Sequence, residues 1–245
     1  MKMFSLRHMC GALAVLATLA TPVLAAAPAM DAATEAKLKT LLAGPQRSAP
    51  NKARDVYRHP LETLKFFGLK QDMAILEVAP GGGWWKEFLE PLMSEKGKYT
   101  GANFKPNSQP VPPGSADLVL TFRNMHNWMG GGTAKGMFDV MYASLKPGGY
   151  LGVKEHRAPT TAEQDPKAAS GYVRQDYSIK LIESAGFKLV ATSEVNANPK
   201  DTKDYPKGVW TLPPSFEEGD KDRAKYAAIG ESDRFTLLFQ KPANS

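Results

Sequence analysis

Hydrophobic and polar positions along the chain alternate between the period of a strand and the period of a helix. Short apolar runs predict six strands, at 73–79, 97–104, 115–122, 150–155, 187–195 and 234–241. Segments with helical spacing predict five helices, at 31–44, 61–70, 84–97, 133–146 and 172–185. Strands that alternate with helices are typical of an α/β fold with a doubly wound, mostly parallel sheet. We therefore predict a fold of this class.

In such a sheet, ligands bind beyond the carboxyl ends of the strands. This rule selects four loops, at 79–85, 103–106, 122–130 and 155–172. The first follows its strand directly and contains three consecutive glycines, 81–83. Glycine permits positive φ and close approach of a ligand, and the following helix offers free N–H groups. The turn is either part of a binding site or a plain strand-to-helix connection.

The elements predict three parts in the chain. Residues 1–25 are a signal peptide, 26–72 a helical lead-in, and 73–245 the domain that contains the sheet. A long insertion, 196–233, separates the last two strands and has no clear periodicity. Segments of this kind are often functional or mobile, so we expect the insertion to cover the ligand edge of the sheet.

The signal-peptide prediction rests on the order of charges and apolar residues. Lys2 and Arg7 precede an apolar run, 10–24, and the small residues Ala25–Ala27 follow it. The run is shorter than the ~20 residues that cross a bilayer as a helix. This pattern predicts cleavage near Ala25–Ala27 and a periplasmic or secreted protein with no stable membrane anchor. The alternatives are an N-terminal core helix, a membrane anchor, or a later start of translation, for example at Met30.

Composition narrows the chemistry further. The sequence is 42% hydrophobic and 23% charged, which excludes a disordered chain. Cleavage removes Cys10, the single cysteine, and therefore excludes disulfides, thiolate metal sites and a cysteine nucleophile in the mature protein. It also lowers the formal net charge from +6 to +4. The remaining positive charge is scattered without a basic tract, so we predict no nucleic-acid partner.

Two polar clusters follow neighbouring predicted strands at the ligand edge. One runs from Phe122 to Trp128, and the other is Glu155–Arg157. We take His126 or His156 as a candidate general base, with Glu155 orienting it. Alternatively, these residues only connect the two loops by hydrogen bonds. Two imidazoles and a carboxylate also suit zinc or iron, but no short-range ligand motif supports a metal site, and we predict none.

The motifs occur in an order that resembles a known family. They are LEVAPGGGWW, LTFRNMHNW, LKPGGYLGVKEHR, NPKDTKDYPKGVWTLPP and ESDRFTLLFQKP. The set is similar to class I S-adenosylmethionine-dependent methyltransferases, and more narrowly to an exported branch of predicted methyltransferases, over residues 54–242. The resemblance implies a Rossmann-type sheet, S-adenosylmethionine as the methyl donor and a small-molecule acceptor. A non-catalytic ligand-binding protein and a metal-assisted hydrolase are the competing interpretations.

The resemblance also implies the residues that bind the donor. They are Glu77, Ala79, Pro80, Gly81, Gly82, Gly83, Asn103, Arg123 and Asn124. Asn103 stands where the family usually has a carboxylate for the ribose hydroxyls. Only 104–116 separate it from Asp117, and four prolines interrupt that segment. Because a βαβ unit needs ~30 residues, we expect the usual third strand and its helix to be shortened or missing.

Overall fold

The computed structural model describes residues 28–244, in which a six-stranded sheet lies between two layers of helices. The predicted signal peptide lies outside these residues. The strands are β1 (Ala74–Val78), β2 (Lys98–Ala102), β3 (Ala116–Phe122), β4 (Leu145–His156), β5 (Lys188–Ser193) and β6 (Arg234–Gln240). Their order in the sheet is β2-β1-β3-β4-β6-β5. Strands β1 to β4 pair in parallel, and β6 runs antiparallel to both of its neighbours.

The predicted fold class is confirmed, including its shortened region. Between β2 and β3 the described chain forms turns and bends but no further strand or helix. The prolines of this segment explain its conformation, because proline lacks the N–H that a sheet or helix interior requires. The sheet therefore ends at β2 on this side.

The helices cover the sheet in two groups. Their bounds are α1 (Ala32–Ala43), α2 (Ala49–Lys52), α3 (Asp55–Arg58), α4 (Pro60–Phe66), α5 (Lys86–Met93), α6 (Met125–Gly130), α7 (Ala134–Ser144), α8 (Gln175–Glu183) and α9 (Arg223–Ile229). A 3₁₀ turn spans Gly208–Thr211. Helices α1, α4 and α5 pack on one face, so the lead-in helices share a hydrophobic core with the sheet. Helices α6, α7 and α8 pack on the other face.

Successive side chains of β3 point to opposite faces of the sheet, and both sets are apolar, so helices cover both faces. Leu118 and Leu120 pack in the core beneath α1, α4 and α5, whereas Val119 packs in the core beneath α7. All three side chains are fully buried. Burial of each contributes about 1.5–3 kcal/mol relative to exposure, so the strand is stabilised from both sides.

Several element boundaries differ from the sequence prediction, and the structure gives a reason for three of them. Helix α7 ends at Ser144, and β4 begins at Leu145 rather than at 150, because Leu145 pairs with Ala116 before a bulge interrupts the ladder. Helix α8 begins at Gln175 rather than at 172, because Val173 forms a β-bridge with Arg157. Helix α5 begins at Lys86, since the turn before it extends further than predicted.

Among the described residues, no helix is both long enough and apolar enough to span a bilayer.

Candidate functional site

A cavity of about 350 Å³ opens beyond the carboxyl ends of β1, β3 and β4. Its volume lies within the range of ~300–1,000 Å³ that is usual for small-molecule sites. Most of its wall comes from four parts of the chain: the lead-in helices α2 and α3, the glycine turn after β1, the loop after β3, and the 196–233 insertion. His156 of β4 and Arg234 of β6 also line it. The insertion contributes Trp210 and the Pro213–Pro214 pair, so it covers part of the ligand edge.

The turn after β1 leaves space for a ligand. Its first residue, Ala79, has φ 49° and donates its N–H to the carbonyl of Ala102 at 2.8 Å. A Cβ added at Gly81 or Gly82 would meet no atom within 4 Å. Gly81 has φ 57° and Gly83 has φ 76°, but Gly82 does not have positive φ. A side chain at Gly82 would therefore only fill cavity space, whereas Gly81 also has a conformation that favours glycine.

Glu77 is the carboxylate closest to the glycine turn along the chain. It is 1% exposed at the end of β1, lines the cavity and accepts a hydrogen bond from the Tyr99 hydroxyl at 2.7 Å. Burial raises the pKa of Glu77 to about 7, although the Tyr99 hydrogen bond and the charge of Lys86 act to lower it. Near neutral pH this group is divided between its acid and its carboxylate form.

We predict that Glu77→Gln stabilises the protein at high pH but not at low pH. Because folding raises the pKa of Glu77, the wild-type protein loses stability as the pH rises from about 4.5 through about 7. Glutamine does not ionise and can still accept from Tyr99. The melting temperature of Glu77→Gln should exceed that of wild type by several degrees at pH 8 and match it at pH 4.5.

The exposed Glu95 provides the control, since its side chain is 68% exposed. Glu95→Gln should shift the melting temperature by less than a degree or two at either pH. An equal difference between Glu77→Gln and wild type at both pH values would contradict the assigned shift.

The loop after β3 is held against β1 and β4. Arg123 has φ 61° and donates its N–H to the carbonyl of Lys154 at 2.7 Å. The Asn124 amide donates to the Val78 carbonyl at 3.0 Å and to the Thr121 hydroxyl at 3.1 Å. Both Arg123 and Asn124 line the cavity. Asn124 is thus a connector between two strand ends as well as a wall residue.

His126 and Glu155 form a buried pair at the end of β4. His126 Nδ1 lies 3.1 Å from Glu155 Oε1, and the two side chains are 6% and 1% exposed. Glu155 also accepts the N–H groups of Met125 at 2.7 Å, His126 at 3.3 Å and His156 at 2.8 Å. An ionised carboxylate only accepts hydrogen bonds, so Nδ1 of His126 carries the proton. Its Nε2 is then free to accept a proton in the cavity.

His156 is in a different electrostatic environment. Its Nδ1 hydrogen-bonds to the Ser232 hydroxyl, and its ring centroid lies 5.3 Å from that of His126. Burial, followed by the charges of Arg234, His126 and other neighbours, holds the pKa of His156 well below its usual range. A neutral imidazole with a depressed pKa is a weak base, so His126 is the better candidate for proton transfer.

The structure brings together the three residues of the hypothetical metal site. Ligand atoms of His126, Glu155 and His156 lie within 4.8 Å of one another. However, both oxygens of Glu155 are occupied by N–H donors, and the charges of Arg234, Arg123 and Arg58 act on His156. A divalent cation would have to displace these donors and approach several guanidinium groups. The local chemistry therefore disfavours a cation at this position.

Not all predicted site residues line the cavity. Asn103 is exposed beyond β2, and Gly83 and Glu155 lie outside the cavity wall. The predicted residues that do line it are Glu77, Ala79, Pro80, Gly81, Gly82, Arg123, Asn124, His126 and His156. The structure therefore gives Glu155 a supporting position behind the two histidines.

Sequence reasoning missed three arginines of the wall. Arg54 and Arg58 belong to the lead-in, and Arg234 is the first residue of β6. A four-residue spacing between Arg54 and Arg58 is the only local signal, and it is equally typical of a solvated helix. Packing of the lead-in against the turn brings them into place, since Trp84 Nε1 donates to the Asn51 carbonyl at 3.0 Å and Arg58 lies 4.6 Å above the Trp84 ring.

Comparisons with known proteins agree with this geometry at the level of the fold. No family model matches the sequence, and no curated protein is significantly similar to it. An S-adenosylmethionine-dependent methyltransferase from Aquifex aeolicus has 17% identity and a TM-score of 0.53, over 84% of this chain and 98% of that chain. A phosphoethanolamine N-methyltransferase 2 from Haemonchus contortus, solved with phosphomonomethylethanolamine and S-adenosylhomocysteine, has 15% identity and a TM-score of 0.50. That match covers 84% of this chain and 60% of the other. The chain therefore has a Rossmann-like methyltransferase fold.

Proposed function

We propose that the protein is an S-adenosylmethionine-dependent methyltransferase that acts on a small-molecule acceptor. One observation carries the proposal: the open glycine turn and the His126–Glu155 pair line or adjoin the same cavity at the ligand edge of the sheet. The likeness in fold to methyltransferases supports it. A binding turn and a candidate base in one cavity are what methyl transfer to a protonated nucleophile requires.

The residues of the turn fit the donor. The empty space at Gly81 and Gly82 allows close approach of a ligand to the backbone, and Glu77 lies at the base of the turn. We assign Glu77, the 79–82 turn and Asn124 to donor binding. When bound, S-adenosylmethionine supplies an electrophilic methyl group on a positively charged sulfur. The exposed Asn103 does not contribute to this wall, so Glu77 is the candidate partner for polar groups of the donor.

The histidine pair supplies the proton chemistry in this proposal. An acceptor that took the methyl group, as the methyl–sulfur bond broke to leave S-adenosylhomocysteine, would release a proton, and His126 Nε2 is placed to take it up. Glu155 stabilises the resulting imidazolium through Nδ1 and keeps the ring in place. Three backbone N–H groups hold Glu155 itself, so the base is preorganised before the acceptor binds.

We predict that Gly82→Val weakens binding of S-adenosylhomocysteine at least tenfold without lowering the melting temperature appreciably. The added side chain meets no protein atom near Cβ, and Gly82 does not need positive φ, so valine occupies only ligand space. Isothermal titration calorimetry and a melting curve measure the two effects. Gly131→Val is the matched control, because Gly131 also lacks positive φ but lies outside the cavity wall. Equal affinity of the two variants would indicate that the turn is only a connection.

Two other interpretations have specific support. The exposed position of Asn103 favours a methyltransferase-like protein that binds a ligand without catalysis. His126, Glu155 and His156 lie close enough for the metal site of a hydrolase, although the N–H donors on Glu155 and the neighbouring arginines disfavour a cation there. Binding of S-adenosylhomocysteine without methyl transfer to any fraction of a host extract would support the first. Stoichiometric zinc or iron in the purified protein, by elemental analysis, would support the second.

We also propose that the protein is exported, as a member of the exported branch that its motifs resemble. The charged, apolar and small residues of 1–27 support this proposal. The intact mass of the protein from its native host tests it, since cleavage near Ala25–Ala27 removes a defined mass. A full-length mass in the cytosolic fraction would contradict export.

A further inference from the structure

Four arginines line the cavity, which we call the arginine cluster: Arg54, Arg58, Arg123 and Arg234. One carboxylate, Glu231, serves three of them. Its oxygens lie 2.6 Å from Arg54 Nε and 3.3 Å from Arg58 Nε, and it also accepts from Arg234. One negative charge therefore faces at least three positive charges, and the cluster carries a net positive charge.

Several donors of the arginine cluster have no partner. Arg58 and Arg234 are 2% and 1% exposed, yet Arg58 Nη2 and Arg234 Nε make no hydrogen bond. Within residues 28–244, no carboxylate lies within 4.0 Å of the Arg123 guanidinium, the distance that defines an ion pair. Buried guanidinium groups without partners cost free energy, because they lose water and gain no replacement.

The lowered pKa values of these groups show that their positive charges repel one another. Burial, and then the charge of Arg123, lowers the pKa of Arg58 to about 8. Burial, and then the charge of Arg234, lowers the pKa of Arg123 to about 10. Lys154, fully buried behind the cavity, also has its pKa lowered well below the usual range, first by burial and then by Arg234 and Arg58. An anion in the cavity would relieve this repulsion.

Two members of the arginine cluster lie beside His156. Arg234 pairs with His156 in the β4–β6 ladder, and Arg123 donates its N–H to the carbonyl of Lys154, two residues before His156. Arg58 lies 4.6 Å above the Trp84 ring, between the glycine turn and these residues. The donor is assigned to the glycine turn, and the acceptor must lie where His126 can reach it. Arg234 and Arg123 therefore lie at the position of the acceptor, and Arg58 lies between it and the donor.

We propose that the arginine cluster binds an oxyanion group, a phosphate or a carboxylate, of the methyl acceptor. This inference rests on the proposed methyltransferase function. Guanidinium groups match both oxyanions with parallel N–H donors, and Arg58 and Arg234 each have a donor without a partner. The acceptor is then a small anionic molecule with a nucleophilic atom within reach of His126.

The test is calorimetric titration of the purified protein with inorganic phosphate and, separately, with acetate, each with and without saturating S-adenosylhomocysteine. We expect one of the anions to bind with S-adenosylhomocysteine in place, and the tighter of the two identifies the acceptor's group. Arg123→Gln should weaken this binding at least tenfold without lowering the melting temperature, since it leaves no carboxylate unpaired. Arg58→Met should weaken it similarly.

Arg47→Met is the matched control. Arg47 is also buried and also stacks on Trp84, at 5.0 Å, but it pairs with Asp55 and lies outside the cavity wall. Its substitution should change anion affinity by less than twofold. Absence of anion binding, competition of the anion with S-adenosylhomocysteine, or unchanged affinity in Arg123→Gln would each overturn the inference. Anion binding that depends on Arg123 in a protein that does not bind S-adenosylhomocysteine would support the oxyanion site and overturn the proposed function instead.

Discussion

Replacement of Glu155 by alanine is expected to lower the melting temperature by about 10–20 °C. The carboxylate accepts the buried N–H groups of Met125, His126 and His156 as well as His126 Nδ1. Each buried N–H without a partner costs about 1–3 kcal/mol, so the loss is roughly 3–6 kcal/mol after some rearrangement. For a protein of this size, 1 kcal/mol corresponds to about 2–4 °C. Differential scanning calorimetry measures the shift.

Two further variants define the cause of that loss. Glu194→Ala removes a carboxylate with a 63% exposed side chain from an ion pair with Arg157 and should shift the melting temperature by less than 2 °C or so. Glu155→Gln retains one acceptor oxygen and should fall between alanine and wild type. A shift below about 3 °C in Glu155→Ala would show that Glu155 does not hold the two loops together.

Replacement of His126 by alanine is expected to reduce methyl transfer by ~10²- to 10⁴-fold with little change in donor affinity. This is the usual contribution of general acid–base catalysis. Nδ1 of His126 is held by Glu155, so Nε2 is the group that the substitution removes from the cavity. Transfer of labelled methyl from S-adenosylmethionine to the small-molecule fraction of a host extract measures the rate. Calorimetry with S-adenosylhomocysteine measures donor affinity.

His59→Asn is the control for this experiment. His59 lies outside the cavity wall and has φ 42°, a conformation that asparagine tolerates. Its rate should match that of wild type. A loss of donor affinity in His126→Ala would place His126 in the donor site, and wild-type rates would show that positioning alone drives the reaction.

The sheet and the glycine turn could be predicted from the sequence because their signals are local. The apolar alternation of β3 and the step from β1 into 80–83 lie within a few residues of one another. The start of β4 could not, because pairing of Leu145 with Ala116 depends on a partner strand and overrides the turn signal of Pro147–Gly149. At such positions, contacts with a partner strand override the local propensity of the sequence.

The candidate site shows the same division. His126, Glu155 and His156 come at the carboxyl ends of two neighbouring strands, which meet at the ligand edge of the sheet. Their proximity could therefore be inferred from the sequence. The arginine cluster depends on contacts between distant parts of the chain: Arg54 and its partner Glu231 are 177 residues apart. No periodicity marks such a pair. Asn103 was expected at the donor site because of its spacing from the glycine turn in the family. In the structure it is exposed after β2 and does not line the cavity.

Calorimetric titration of the wild-type protein with S-adenosylhomocysteine tests whether the cavity is a methyl-donor site. We expect one site per chain, with an affinity in the micromolar range that falls in Gly82→Val and is retained in His126→Ala. No heat of binding at millimolar ligand, in a protein with a normal melting curve, would contradict the assignment of the cavity to a methyl donor.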